Sequence, residues 1–267
     1  MLGLPDGVSA CLFDMDGVIT RTATVHDAAW KEMFDDFLRA RATASGGSGG
    51  QFAPFDPVRD YDDYVDGKPR LEGTRAFLAS RGIKLPDGTP DDPPGTDTLW
   101  GLGNRKNELF QQVLERDGVN VYDGSRSYLA AVRAAGLRTA LVSSSANTAQ
   151  VVARGGVADQ FDVTVDGNVT EAKGLHGKPA PDTYLAAAEM LGVKPGSAAV
   201  FEDALAGVEA GRAGKFGLVV GVDRVGQAAQ LRQHGADIVV KDLGDLLPGS
   251  AAGSSSAAGS SEGGQRQ

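Results

Sequence analysis

Residues 10–20, ACLFDMDGVIT, decide the fold. Ala10, Cys11, Leu12 and Phe13 run without a polar interruption into Asp14, Met15, Asp16 and Gly17. A short run that is apolar on both faces fits a strand buried on both sides, as in a parallel sheet covered by helices. Open sheets of that kind bind ligands beyond the carboxyl ends of their strands, where the two carboxylates would stand. Residues two apart on a strand share a face, and a chain turning off the strand at Gly17 can aim both acids at one pocket. One carboxylate can then attack phosphorus while the other handles the proton of the oxygen that leaves or enters. Two aspartates before a glycine also make an ordinary turn, so the reading needs support from the rest of the chain.

Working outward, residues 139–142, 198–201, 217–222 and 237–240 are further short β-prone runs that end in polar residues. Residues 125–135, 147–154, 181–191 and 204–213 carry apolar residues at helical spacing. Alternation of strand and helix predicts an α/β fold, a Rossmann-like doubly wound parallel sheet. Residues 23–116 break the alternation with helices and loops, which predicts an inserted helical cap domain. The core is then residues 1–22 and 117–247. Within the cap, residues 42–50 (ATASGGSGG) and 87–95 (DGTPDDPPG) are too rich in Gly, Ser and Pro for regular structure and are expected to be surface loops. Residues 248–267 are almost all Gly, Ser and Ala and are expected to form a flexible tail.

Three more stretches carry candidate chemistry. Val142 leads into Ser143, Ser144, Ser145, Ala146 and Asn147, a strand end that offers hydroxyls and free backbone N–H groups to phosphate, although the same residues are common helix caps. Lys178 stands before Pro179 and Pro181, which restrict the backbone around an ammonium able to neutralise charge on a transferring phosphoryl group. Alone it reads as a solvated loop lysine. Phe201 leads into Glu202 and Asp203, a second carboxylate pair at a strand end; with Asp14 and a carbonyl from Asp16 it suits octahedral Mg²⁺. The bland reading there is an acidic helix start. What outweighs the bland readings is their conjunction: carboxylate pair, hydroxyl, lysine and second carboxylate pair, in order, three of them at strand ends.

That ordered set resembles the four motifs of the haloacid dehalogenase superfamily, here Asp14/Asp16, Ser143, Lys178 and Glu202/Asp203. The resemblance spans about residues 10–242 and implies a Rossmann-like core with an optional cap. Within the superfamily the chain is similar to the β-phosphoglucomutase group, through FDMDGVIT followed by Thr22, His26 and Trp30. Gly67 and Arg70 in YVDGKPR match a specificity loop whose arginine grips the non-reacting phosphate, and Arg105, Lys106 and Asn107 match a cap segment that helps close the site. Ser144, Ser145 and Asn147 would complete that distal phosphate site from the core side. Arg70 offers a planar fork to phosphate, whereas Lys106 and Lys178 are point charges. Read without the family, Arg70, Lys106 and His26 are a surface cation, a solvated helix lysine and a helix-capping histidine. Two residues depart from the pattern: Asp66 stands where a basic residue is usual, and Arg21 replaces an acidic one.

The resemblance implies an isomerase of carbohydrate metabolism. Its phospho-Asp14 phosphorylates the 6-hydroxyl of β-glucose 1-phosphate, and glucose 1,6-bisphosphate serves as intermediate and activator. One Mg²⁺ per site, held by Asp14, Asp16, Glu202 and Asp203, is the expected cofactor. Hinges are expected near residues 22–25 and 116–118. The near rival is a Mg²⁺-dependent sugar-phosphate phosphatase, in which water attacks phospho-Asp14. A non-catalytic sugar-phosphate sensor is the third reading, and a second buried carboxylate at Asp16 is of no use to a pure binder. A net charge of −9 argues against nucleic acid or anionic membranes as partners. The single cysteine, Cys11, excludes an internal disulfide. With no leader-like segment or spanning apolar stretch in view, a cytoplasmic monomer acting on a small phosphorylated sugar is the expectation.

Overall fold

Six strands, β1 (Ala10–Phe13), β2 (Arg138–Val142), β3 (Val163–Val165), β4 (Ala198–Glu202), β5 (Leu218–Val222) and β6 (Ile238–Val240), form one parallel sheet in the order β3-β2-β1-β4-β5-β6. The structure is a computed structural model, and it describes residues 2–46 and 52–249. The α-helices among these residues are α1 (Ala23–Ser45), α2 (Arg70–Ser80), α3 (Leu99–Asp117), α4 (Asp123–Ala134), α5 (Thr148–Arg154), α6 (Gly167–Lys173), α7 (Asp182–Leu191), α8 (Leu205–Ala213) and α9 (Ala228–His234). Strands β1, β4 and β5 are buried along their whole length, as an apolar run without alternation requires.

Side chains of β1 alternate between two cores. Cys11 and Phe13 pack with Tyr128, Leu129 and Val132 of α4, whereas Ala10 and Leu12 pack with Tyr184 and Ala187 of α7. Phe13 stacks on Phe201 of β4 with ring centroids 4.5 Å apart and meets Tyr128 edge-on at 6.3 Å. Burying a side chain of this size contributes about 1.5–3 kcal/mol and ties the central strands to both helical layers. Cys11 is a packing residue, its thiol pushed up to about 12 by burial.

The strand order reverses between β1 and β4, which opens a crevice at their carboxyl ends. Residues 23–117 supply α1, α2, α3 and a π-helical turn, Tyr61–Val65, and no strand among the described residues. The chain leaves and re-enters the core side by side: Thr20 bridges Val121, Arg21 N donates to Asn120 O at 2.8 Å, and Tyr122 N donates to Ile19 O at 3.0 Å.

The loop expected at residues 42–50 is corrected in its first half. Helix α1 continues through Ser45, because alanine favours helix and nothing interrupts it before Gly46, which ends it at φ +61° with its N–H on Ala42 O. Residues 47–50 lie outside the described residues, and so does the expected tail beyond Gly249. Residues 87–95 contain no helix or strand, as their composition predicts. No helix among the described residues is long and apolar enough to cross a membrane.

Candidate active site

Strand register brings the two acidic stretches together. Phe13 lies opposite Phe201, and Asp14 N donates to Phe201 O at 2.9 Å, so Asp14 and Glu202 leave adjacent strands side by side with Asp203 following. Between them sits Lys178, only 1% exposed, whose Nζ is 2.5 Å from both Asp14 Oδ1 and Glu202 Oε1. Glu202 also accepts from Tyr184 Oη at 3.1 Å and from Ala204 N at 3.0 Å. Burial opposes the charge on Lys178, but Asp14 and Glu202 outweigh it and hold the ammonium well above its ordinary range. Burial pushes Asp14 upward against the pull of Lys178, and Glu202 and Asp16 push the same way. Asp203 is likewise raised by burial and by Asp66, Glu202 and Asp14.

Asp16 has different company. Its carboxylate accepts from the Thr22 hydroxyl and lies 3.3 Å from His26 Nε2. Thr22 is the N-cap of α1 but makes no side-chain capping bond; the hydroxyl that could have satisfied the helix end serves Asp16. His26 Nδ1 accepts from Lys106 Nζ, and the imidazole stacks on Phe110 at 4.1 Å. Burial would raise Asp16, yet His26, Thr22 and Lys106 together hold it below its ordinary value. Burial lowers His26, and it pushes Lys106 down to about 7. Lys106 projects from α3 and is 5% exposed, with the rings of Trp30 and Phe110 4.9 and 5.2 Å from Nζ.

Gly17 is required where it stands. It adopts φ +87°, and a Cβ there would come within 1.6 Å of Asp203 Oδ2, so only glycine lets the first acidic turn lie against the second.

These groups open into one cavity of about 310 Å³ that Asp14, Asp16, Glu202 and Asp203 line from the strand ends. From the helical segment it is lined by His26, Trp30, Gly67, Arg70 and Lys106, and from the β2 end by Ser144, Ser145 and Asn147. The two sides are latched together: Ser144 Oγ donates to Gly67 O at 2.7 Å, and Asn147 Nδ2 to Asn107 Oδ1 at 2.7 Å. Gln111 Nε2 adds a bond to Asn147 Oδ1 at 3.0 Å. Arg70 opens α2, its stem against Gly103, and its guanidinium has no hydrogen-bond or ion-pair partner among the described residues. Burial lowers its pKa, which Glu171 partly offsets.

The donor set fits a hard divalent cation. One oxygen each from Asp14, Glu202 and Asp203 lies within 4.8 Å of the others. Glu202 already has both oxygens engaged, whereas the Asp203 carboxylate has no side-chain partner among the described residues. Asp203, and Asp14 through the oxygen that does not face Lys178, are therefore the available donors, and Glu202 helps to hold Lys178.

Of the residues singled out in the sequence, Thr22, Ser143 and Lys178 stand behind the cavity wall and are buried, Arg21 and Arg105 lie away from it, and the other candidate site residues line it. Ser143 Oγ accepts from Ser145 N at 3.1 Å. Arg105 faces outward and pairs with Glu108 at 2.7 Å. Sequence reasoning missed Tyr184, which braces Glu202, and Tyr61, Trp100 and Glu171, which line the cavity. Asp66 lines it too, pushed up to about 7 by burial, Glu202 and Asp62. A tyrosine six residues after Lys178, on the first turns of a helix, was the one available signal for Tyr184.

The haloacid dehalogenase-like hydrolase family model matches residues 8–215. The chain is 57% identical over 250 residues to a β-phosphoglucomutase of Mycobacterium tuberculosis, covering 92% of this chain and 94% of the relative. It is 32% identical over 241 residues to the β-phosphoglucomutase of Bacillus subtilis, covering 90% and 92%. In fold it is similar to the crystal structure of a β-phosphoglucomutase from Clostridium difficile, with a TM-score of 0.69, 24% identity and coverage of 90% of this chain and 93% of that one. With the ordered carboxylates, serine and lysine gathered at the strand ends, the chain belongs to the haloacid dehalogenase-like hydrolase family.

Proposed function

We propose that this protein is a β-phosphoglucomutase, interconverting β-glucose 1-phosphate and glucose 6-phosphate through phospho-Asp14 and glucose 1,6-bisphosphate. The observation that carries the reading is Arg70. Its guanidinium lines the same cavity as Asp14 and makes no hydrogen bond or ion pair among the described residues, so the cavity offers a second anion site beside the one where transfer occurs. A hydrolase acting on a single phosphate has no use for it. The identity to curated mutases supports the same choice.

In this reading Asp14 alternates between carboxylate and acyl phosphate. The 6-hydroxyl of β-glucose 1-phosphate attacks phospho-Asp14, its P–O bond to Asp14 breaks, and the hydroxyl proton passes to Asp16. The resulting bisphosphate turns over. Asp14 then attacks the phosphorus of the 1-phosphate, the sugar O1 takes the proton back from Asp16, and glucose 6-phosphate leaves. Lys178 steadies charge on the transferring oxygens, and Glu202 keeps it in place. Bound through Asp14 and Asp203, with Asp16 by its carbonyl and Glu202 nearby, Mg²⁺ would supply Lewis-acid charge at those oxygens. Arg70, Ser145 and Asn147 hold the non-reacting phosphate, while Thr22 and His26 fix Asp16.

Residues 23–116 act as a cap in this scheme. The Ser144–Gly67 and Asn147–Asn107 bonds keep water out during transfer and must break for the bisphosphate to turn over, with hinges at residues 22–25 and 116–118. The test is incubation with β-glucose 1-phosphate and a trace of glucose 1,6-bisphosphate. Formation of glucose 6-phosphate supports the mutase; stoichiometric release of inorganic phosphate in its place would make the protein a sugar-phosphate phosphatase.

A further inference from the structure

The segment between β5 and α9, residues 223–227, has no part in the scheme above, yet it touches both halves of the acidic centre. Its shape is set by Asp223, whose Oδ1 accepts from Gly226 N and Gln227 N at 2.7 Å each. From this small ring two side chains reach back to the strand ends. Arg224 Nε donates to Gly17 O at 2.7 Å, and Gln227 Nε2 donates to Asp203 O at 3.0 Å. Neither lines the cavity. One loop thus holds the backbone of the turn that follows Asp14 and Asp16 and the backbone of Asp203 itself.

Arg224 is in turn held through Nε, Nη1 and one face of its guanidinium, while its Nη2 is buried without a hydrogen-bond partner among the described residues. Its Nη1 donates to Lys241 O at 2.9 Å and to Asp242 Oδ2 at 3.1 Å. Its guanidinium lies 3.6 Å from the centroid of the Tyr122 ring, and Arg21 approaches the same ring at 4.3 Å. Tyr122 and Arg21 belong to the paired segments by which the chain re-enters and leaves the core. The residue that departs from the family pattern at position 21 therefore joins a stack ending on Gly17. Because a Cβ on Gly17 would meet Asp203, the two acidic turns are already in contact there, and any shift of Gly17 changes their separation.

We propose that Arg224 and Gln227 are positioning residues that set the spacing between Asp14 and Asp203, and through it the affinity of the site for a divalent cation. The inference rests on the proposed reading only in taking those two carboxylates as the cation's ligands. Outer groups that orient metal ligands are commonly worth about 10- to 100-fold in metal affinity.

The experiment is binding of Mn²⁺ to the purified full chain without substrate, followed by electron paramagnetic resonance, for the wild type, Arg224→Gln, Arg224→Lys and Gln227→Ala. Arg224→Gln is expected to weaken Mn²⁺ by about tenfold or more, with Arg224→Lys between it and the wild type. Gln227→Ala, which removes a single bond and should fold normally, is expected to weaken Mn²⁺ severalfold. At saturating cation, KM for the sugar phosphate should stay near the wild-type value in all three. A lowered thermal midpoint with unchanged Mn²⁺ affinity in Gln227→Ala and Arg224→Gln would overturn the proposal and leave these residues as fold supports only. Wild-type protein that binds no Mn²⁺ would overturn it as well. Wild-type protein that binds Mn²⁺, loses it in these variants and makes no glucose 6-phosphate would instead sink the mutase reading and leave this inference standing.

Discussion

Replacing Lys178 by methionine tests the centre of the site through stability, independently of turnover. The ammonium is 2.5 Å from two carboxylates, and the side chains of Lys178, Asp14 and Glu202 are 1%, 10% and 0% exposed. Removing one member of a buried ion pair leaves an uncompensated charge and costs about 3–5 kcal/mol, here with two carboxylates left behind. Against a total stability of roughly 5–15 kcal/mol, Lys178→Met should still fold but with a much lower urea midpoint. The deficit has a sign in pH. Without the lysine, folded Asp14 is pushed further above its unfolded value, so the folded state binds more protons and loses stability as pH rises above the ordinary carboxylate range of about 4. Adding Glu202→Gln keeps an acceptor for Ala204 N, lets the new amide nitrogen donate to Tyr184 Oη, and removes one stranded charge. The double variant should recover about 1–3 kcal/mol relative to the sum of the single changes. The assay is equilibrium urea unfolding in the presence of a chelator, with turnover measured in parallel and expected to be absent in both. A single-variant cost under about 1 kcal/mol, or strict additivity in the double, would refute a desolvated ion-pair centre.

Gly17→Ala should lower stability by about 1–2 kcal/mol from backbone strain alone. Its Cβ would also push Asp203 away, so Mn²⁺ affinity should fall further than the unfolding midpoint suggests, and an unchanged affinity would contradict the contact. Arg70→Ala is expected to raise KM for glucose 1,6-bisphosphate by roughly ten- to hundredfold. Phosphorylation of Asp14 by a small donor such as acetyl phosphate, read by intact-protein mass, should be unaffected. For Lys106 the pH dependence is explicit: burial holds the folded group at about 7 against an ordinary 10.5. Between those values the unfolded chain binds more protons, so stability rises with pH across the window and the contribution is lost as pH falls toward the lower end. Lys106→Met should flatten that slope, measured as urea stability at pH ~7 and ~10, and an unchanged slope would show that Lys106 is charged when folded.

How far these elements could be read in advance follows from how each is stabilised. Strands β1, β4 and β5 are buried on both faces, so their apolar runs were plain. Strand β3 was not read, because only three residues, Val163 to Val165, pair along β2, and two of them are half-buried. Helices α6 and α9 were missed for a similar reason: each buries a single residue, Thr170 or Leu231, too few to leave a period. At the site, Asp14, Asp16, Glu202 and Asp203 were legible because they end or follow apolar strands, and Lys178 because prolines constrain the backbone after it. Tyr184, Arg224 and Gln227 act on groups that lie 18, 207 and 24 residues away along the chain, and no local spacing carries that information.

Charge sets the terms on which this cavity can take up an anion. Seven carboxylates line it, Asp14, Asp16, Asp66, Glu72, Glu171, Glu202 and Asp203, against Lys68, Arg70 and Lys106 on the wall and Lys178 behind it. A phosphate dianion entering such a place meets repulsion that the cations alone do not offset, on a chain that already carries a net charge of −9. Burial resists charge of either sign there, raising Asp14 and Asp203 and lowering Lys106, so neither the acids nor the lysine is at ease as an ion without a partner. A divalent ion between Asp14 and Asp203 would reverse the local balance, and each phosphate oxygen brought to it would strengthen its hold in turn. By linkage, cation and phosphate must then raise each other's affinity by the same factor. The acidic surplus thereby couples the two sites, since a cation between Asp14 and Asp203 and an anion beside it each favour the binding of the other.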